Sequence, residues 1–194
     1  KTLFQSVLVL FAALHFAMTP QGALASDQKS ILVTGASTGI GRHLAEALAE
    51  AGHHVYAGAR KEADLAALDA IENITAVRLD VTQQDQVDAA VAMITEKGTG
   101  LYALVNNAGV SQLSYTPSED QPMEEWDRVI RINLRGTFLC CRYGLPPMIA
   151  AGRGGRVGIL NLHRRNTEYR NFLLEVNYRK FLPGRHTQLV LGSI

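Results

Sequence analysis

The stretch ILVTGASTGIGRHLAEALAEAG, residues 31–52, decides how the rest of the chain is read. Ile31-Leu32-Val33 is a short apolar strand. Leu44, Ala45, Leu48 and Ala49 then recur at helical spacing, which predicts a helix over residues 42–51 with Gly52 as its stop. Between the two lies Thr34-Gly35-Ala36-Ser37-Thr38-Gly39-Ile40-Gly41. Glycines at 35, 39 and 41 let the backbone turn sharply and approach a ligand closely. The helix behind them presents unpaired N–H groups and the positive end of its dipole, which suits a pyrophosphate. Ser37 and Thr38 add hydroxyl donors. A glycine cluster alone can be a plain turn; placed directly between a strand and a helix, it reads as a phosphate cradle.

Outward from this unit, strand and helix alternate. Residues 53–59, 74–79 and 101–105 read as further strands, and residues 62–71 as a helix. The helix predicted over 83–97 carries Val87, Ala90, Val91 and Ile94 on one stripe and ends at Gly98. A long helical stretch from about Met123 to Ala150 puts Trp126, Val129, Ile130, Asn133 and Leu134 on one apolar face, and Pro146-Pro147 should break or kink it. Residues 155–162 read as a fifth strand. This alternation implies right-handed crossovers and a parallel sheet with helices on both faces. The expected fold is α/β, a Rossmann-like doubly wound parallel sheet over residues 30–162, incomplete at its C-terminal side. A leader (1–29) precedes it and an atypical basic tail (163–194) comes after it.

The spacing Gly-x₃-Gly-x-Gly differs from the commoner Gly-x-Gly-x₂-Gly, and here the sequence resembles the short-chain dehydrogenase/reductase family of classical type, whose usual form is TGxxxGIG. Three further matches occur in order: Asp80-Val81 at the end of strand three, Asn106-Asn107-Ala108-Gly109 at the end of strand four, and Asn133 within RINLRG. The resemblance covers residues 30 to about 160. It implies that Gly35, Ser37, Thr38, Gly39, Ile40 and Gly41 seat a dinucleotide, that Asp80 and Val81 contact its adenine, and that Asn107, Ala108 and Gly109 keep the nicotinamide side clear. It also assigns Asn133 a catalytic role. On the residues alone, Asp80 could cap a turn, 107–109 could be a turn, and Asn133 could be structural. The implied activity is an oxidoreductase moving a hydride between nicotinamide and a small-molecule alcohol or carbonyl substrate.

The end of strand two normally supplies an acid for an NAD ribose, about 20 residues past the glycines. Here Tyr56-Ala57-Gly58-Ala59-Arg60 has no acid before Glu62. Arg60 could pair with a 2′-phosphate through its planar fork, so NADP(H) is expected, with NAD(H) as the alternative.

The family's proton donor is a tyrosine followed four residues later by a lysine, one helical turn on. Tyr169 is followed at that distance by Leu173, Tyr178 by Leu182 and Tyr143 by Pro147. The serine pair expected after strand five is replaced by Asn161-Leu162-His163-Arg164. Lys180, eleven residues beyond Tyr169, would stand about 16 Å away on a helix. Activity is therefore expected to be impaired, and a non-catalytic dinucleotide-binding remnant is the alternative. Past Leu160 the family pattern stops and arginine is enriched, as in a truncated or out-of-frame reading. Resequencing around Arg156–Leu160 tests this, and a clean gene encoding the same tail would refute it.

The 194 residues suffice for one domain with a real core. A net charge of +1 gives no overall pull toward nucleic acid or membrane. From Arg153 onward, eight lysines and arginines face two glutamates, but the tail lacks a nucleic-acid module. Adjacent Cys140 and Cys141 make neither a bridge nor a metal site and read as buried small hydrophobes. The leader, with Lys1, an apolar run Leu3–Met18 and Ala23-Leu24-Ala25, has the outline of a secretory signal cleaved near residue 25, and Met18 is the rival start. The run is too short for a membrane span. Because dinucleotides are scarce outside cells, a cytoplasmic location is expected, with export as the alternative. Family members form homo-oligomers through the helix bearing Asn133. With the last strands absent, that assembly is not expected to carry over.

Overall fold

Alternating strands and helices close into one seven-stranded sheet. The computed structural model describes residues 28–98, 100–111, 116–152, 155–165, 168–178 and 188–193, with backbone only beyond Ile159. The expected leader lies outside the described residues except for Gln28 and Lys29. Strands β1 (Ser30–Val33), β2 (His54–Ala59), β3 (Ile74–Arg78), β4 (Ala103–Asn106) and β5 (Gly155–Arg165) are parallel, in the order β3-β2-β1-β4-β5. Helices α1 (Gly39–Glu50), α2 (Glu62–Asp69) and α3 (Gln84–Glu96) make the crossovers. The strand order reverses between β1 and β4, which opens a crevice at their carboxyl ends. This is the doubly wound Rossmann-like fold expected from the sequence.

Period-two alternation along β1 divides the core. Ile31 and Val33 face α1 and α2, joining Ala45, Ala49, Leu65 and Leu68. Leu32 faces the other way, joining Val87, Ala90, Ile94, Cys140 and Met148. Both faces are dry because each helix contributes an apolar stripe at the predicted spacing. Gly52 has φ +86°, as its stop position requires.

The structure departs from the sequence reading in three places. First, α1 begins at Gly39, three residues earlier than expected, so Gly39, Ile40 and Gly41 belong to the first helical turn. Second, the long helix is not broken at Pro146-Pro147. Both lie inside α5 (Thr137–Ala150), which continues for three residues past them although each proline forfeits an i→i−4 hydrogen bond. The change of pattern falls earlier, between α4 (Met123–Val129) and α5, where Ile130–Gly136 is a π-helical segment. Its wider turn displaces the hydrogen-bond ladder, and the Thr137 hydroxyl donates to the Asn133 carbonyl at 2.7 Å. Trp126 and Leu134 are 51% and 65% exposed while Val129 and Ile130 are half-buried, so the expected apolar face is only partly covered among the described residues.

Third, the tail read as aperiodic contains β6 (Glu168–Tyr178) and β7 (Gln188–Ser193), both antiparallel. Strand β5 itself runs to Arg165, past the expected Leu162. Antiparallel neighbours need only short connections, and Tyr169, Phe172, Leu173, Leu174 and Val176 are apt strand residues. Arg170, Asn171 and Glu175 between them masked that pattern.

At the amino ends of β2 and β3, Lys97 Nζ donates to Thr75 Oγ1 at 3.4 Å, and that oxygen lies 3.2 Å from His54 Nε2. The arrangement suits a neutral imidazole. Burial first, then the Lys97 charge, hold the His54 pKa below its ordinary 6.5. The unfolded chain therefore takes up this proton more readily. Stability present above about pH 6.5 is lost as the pH falls through the folded value. Melting temperature should drop between pH 7.5 and 5.5, and less steeply in His54→Gln. An unchanged slope in that variant would assign the loss to other groups.

Candidate functional site

The crevice is built first by backbone. Thr34, at the exit of β1 and almost fully buried, donates its N–H to Val105 O at 3.0 Å. Its hydroxyl oxygen accepts the N–H groups of both Asn107 and Ala108 at 3.0 Å. The Asn107 amide returns the contact, donating to Thr34 O at 2.9 Å and Gly35 O at 3.0 Å. Ala36 N donates to Gly58 O at 2.8 Å. The glycine loop is thus strapped to the exits of β4 and β2 before any ligand arrives.

This strapping explains two glycines differently from the sequence argument. A Cβ on Gly41 would stand 2.2 Å from Asn107 Nδ2 and 2.4 Å from Gly35 O. A Cβ on Gly35 would stand 2.8 Å from Ala108 Cα. Gly41 is glycine because the β4 exit and the loop pack on it, and Gly35 for that contact and also for its φ of +66°. Gly39 shares the positive φ, +60°, but no atom lies within 4 Å of an added Cβ. There the backbone conformation asks for glycine, and the space beside it is open.

The start of α1 is electrostatically open. Helices α2, α3 and α4 carry acids in their first turns (Glu62 and Asp64, Asp85, Glu124 and Glu125), whereas α1 has none. Thr38 at the N-cap makes no side-chain hydrogen bond to the helix. The dipole end and its orphan N–H groups are left for an anion.

Around this point lies a cleft of about 440 Å³, well within the size range of small-molecule sites. It gathers all the expected coenzyme residues except Gly39. Gly35, Ser37, Thr38, Ile40 and Gly41 come from the loop and α1, and Arg60 from the β2 exit. Asp80 and Val81 come from the β3 exit, and Asn107, Ala108 and Gly109 from the β4 exit. Gly58, Ala59, Leu79, Thr82, Val110, Arg131 and Ile132, to which the sequence reading gave no site role, complete the wall. Thr34 opens the loop quoted from the sequence, but no role was given to it there; its hydroxyl's part in strapping the loop shows only in the fold.

Of the two roles weighed for Asp80, the structure shows the turn cap. Oδ1 accepts from Thr82 N at 2.9 Å and Thr82 Oγ1 at 2.8 Å, capping the turn. Oδ2 accepts no hydrogen bond among the described residues. Arg60 is exposed at the cleft rim. The nearest acid in sequence, Glu62, is held by Arg78 in a close ion pair, so Arg60 is not neutralised by it. Asn133 lies outside the cleft lining and is paired in both directions with Val110: Nδ2 donates to O at 2.8 Å, and Val110 N donates to Oδ1 at 2.9 Å. Cys140 is buried, and burial, with Cys141 second, pushes its thiol up to about 12. Among the described residues no group of three metal ligands exists, and no helix is long and apolar enough to cross a membrane.

The family profile for short chain dehydrogenases matches residues 29–163. The chain belongs to the short-chain dehydrogenase/reductase family. These are oxidoreductases, and the match ends where the family pattern lapses in the sequence. The chain is 37% identical over 141 residues to a 3-oxoacyl-(acyl-carrier-protein) reductase of Staphylococcus aureus, covering 69% of this chain and 55% of the relative. It is 32% identical over 167 residues to estradiol 17-beta-dehydrogenase 2 of Mus musculus, covering 83% and 43%. A solved short-chain type dehydrogenase/reductase from Mycobacterium marinum superposes with a TM-score of 0.64 at 35% identity, covering 73% and 60%. The chain spans about half the length of the curated relatives it matches.

None of the six tyrosines in this sequence is followed four residues later by lysine. Tyr169 lies in strand β6, so the helical geometry considered for it and Lys180 does not apply, and Lys180 is outside the described residues.

Proposed function

We propose that this cleft binds a nicotinamide dinucleotide, NADP(H) in preference to NAD(H), and that the protein is an oxidoreductase for an alcohol or carbonyl substrate. The observation that carries this reading is the convergence of four strand exits on one cleft at the topological switch point. The residues fit the group: an acid-free helix start for the pyrophosphate, Ser37 and Thr38 hydroxyls beside it, and Arg60 at the ribose end. Bound there, the coenzyme supplies or accepts a hydride. The chain's own part is to orient it. The Thr34–Asn107 strap fixes the loop, and Gly109 and Ala108 leave a low wall beside the reacting ring. Asn133 acts through Val110, holding that backbone against the helix. The cytoplasm, where such dinucleotides are abundant, is the compartment this reading favours.

A second reading, binding without catalysis, is favoured by the missing Tyr-x-x-x-Lys pair. Titration with NADPH and NADH, followed by a panel of carbonyl substrates, separates the two. Turnover supports the first reading, and binding without turnover supports the second. No affinity for either coenzyme refutes both. For coenzyme choice, Arg60→Ala should weaken NADPH by about ten- to hundredfold, the worth of a charge-assisted hydrogen bond, and leave NADH unchanged. Equal loss for both would remove Arg60 from phosphate recognition.

A further inference from the structure

Three arginines stand on the helical segment that walls the cleft, and two of them are committed. Arg128 is held by Glu125 at 2.7 and 2.9 Å and donates to Ser111 O at 2.8 Å. Arg135 donates to Thr82 O at 3.3 Å. Arg131 lines the cleft, is exposed, and meets no acceptor among the described residues. The next turn of the helix fixes its place. Arg135 rests on Thr82, and a Cβ on Gly136 would stand 2.6 Å from Val81 Cγ2. The segment is therefore packed on the end of β3, and one turn earlier Arg131 and Ile132 face the cleft at that end.

The chemistry of that end selects what a guanidinium can meet there. Asp80 offers Oδ2 without a hydrogen bond among the described residues, so a phosphate placed beside it would meet a like charge. Val81 and Ile132 offer apolar surface. An acceptor, two apolar walls and a planar cation fit a flat, neutral, amine-bearing aromatic ring and disfavour an anion.

We propose that Arg131 is a base-binding residue, its guanidinium lying over the adenine of the dinucleotide at the Asp80–Ile132 end of the cleft. This rests on the dinucleotide reading above. Arg131 and Arg60 then have separable duties: Arg131 contributes to affinity for any adenine dinucleotide, and Arg60 discriminates on the ribose phosphate.

The test titrates the full chain, as wild type and as Arg131→Ala, Arg131→Gln, Arg131→Lys and Arg60→Ala, with NADPH, NADH and 5′-AMP. Arg131→Ala should weaken all three by one common factor, about three- to thirtyfold, the range of a desolvated cation–π contact. Arg131→Lys should recover only part of that loss, since its ammonium is not planar. Arg131→Gln serves if alanine lowers the melting temperature. Wild-type binding with no change in the Arg131 variants overturns the proposal and leaves the dinucleotide reading standing. A loss confined to NADPH, or one fully restored by lysine, also overturns it, by assigning a charge contact. Absence of wild-type binding to either dinucleotide removes the reading and the proposal together.

Discussion

Gly41→Ala should abolish measurable dinucleotide binding and lower the melting temperature by about 6–20 °C. The added methyl would lie 2.2 Å from Asn107 Nδ2 and 2.4 Å from Gly35 O. Neither is the free end of a long side chain. The Asn107 amide is held by two carbonyls, and Gly35 O is part of the loop. Relief requires the loop and the β4 exit to separate, which adds the loss of those hydrogen bonds, about 1 kcal/mol each, to an overpacking cost of about 1–3 kcal/mol. In a chain of this size each kcal/mol lowers the midpoint by about 2–4 °C. Gly39→Ala is the internal control. With open space beside it, it meets only the cost of its positive φ, about 1 kcal/mol, and should keep most of its binding. Thermal melts with NADPH titration check both. Equal effects at 39 and 41 would show that conformation, and not the strap, governs the loop.

Thr34→Val should be nearly as damaging, although it changes almost no volume. Valine keeps the branched shape that β1 buries but removes the oxygen accepting from Asn107 N and Ala108 N. Asn107 N would keep its second acceptor, Val105 O at 3.1 Å, but Ala108 N–H would face an apolar methyl. An N–H left unsatisfied costs about 1–3 kcal/mol, and the β4 exit would drift from the loop. Coenzyme affinity should fall by more than about tenfold. Thr34→Ser, which restores the oxygen, should recover both stability and binding. Calorimetric titration of the three proteins decides it. Valine behaving like serine would mean the hydroxyl is dispensable.

What could be read from the sequence depends on the range of the interactions involved. Strands β1 to β5 and helices α1 to α3 were legible because each carries its own period, as Leu44, Ala45, Leu48 and Ala49 do on α1. The cleft residues were legible because strand exits and glycines cluster locally, and the resemblance ordered them. The π-helical segment was not, because Ile130–Gly136 has ordinary helical composition, and its ladder is displaced beside Val110 and Thr137. Strand β6 was hidden by Arg170, Asn171 and Glu175, which break its alternation without preventing pairing, and β7 because its six residues, Gln188–Ser193, are too few to show a period. Thr34 could be read as part of the loop, but not as its strap, because its partners stand more than seventy residues away.

That distance also sets an order of events. The loop at 34–41 is made by the first βα unit, yet its shape is held by residues that leave the ribosome long afterwards. A fragment ending before β4 would have the motif without the seat, and coenzyme could neither nucleate nor guide its folding. Capture of the coenzyme then reports that the non-local part of the sheet, the slow step in assembling such topologies, has already closed.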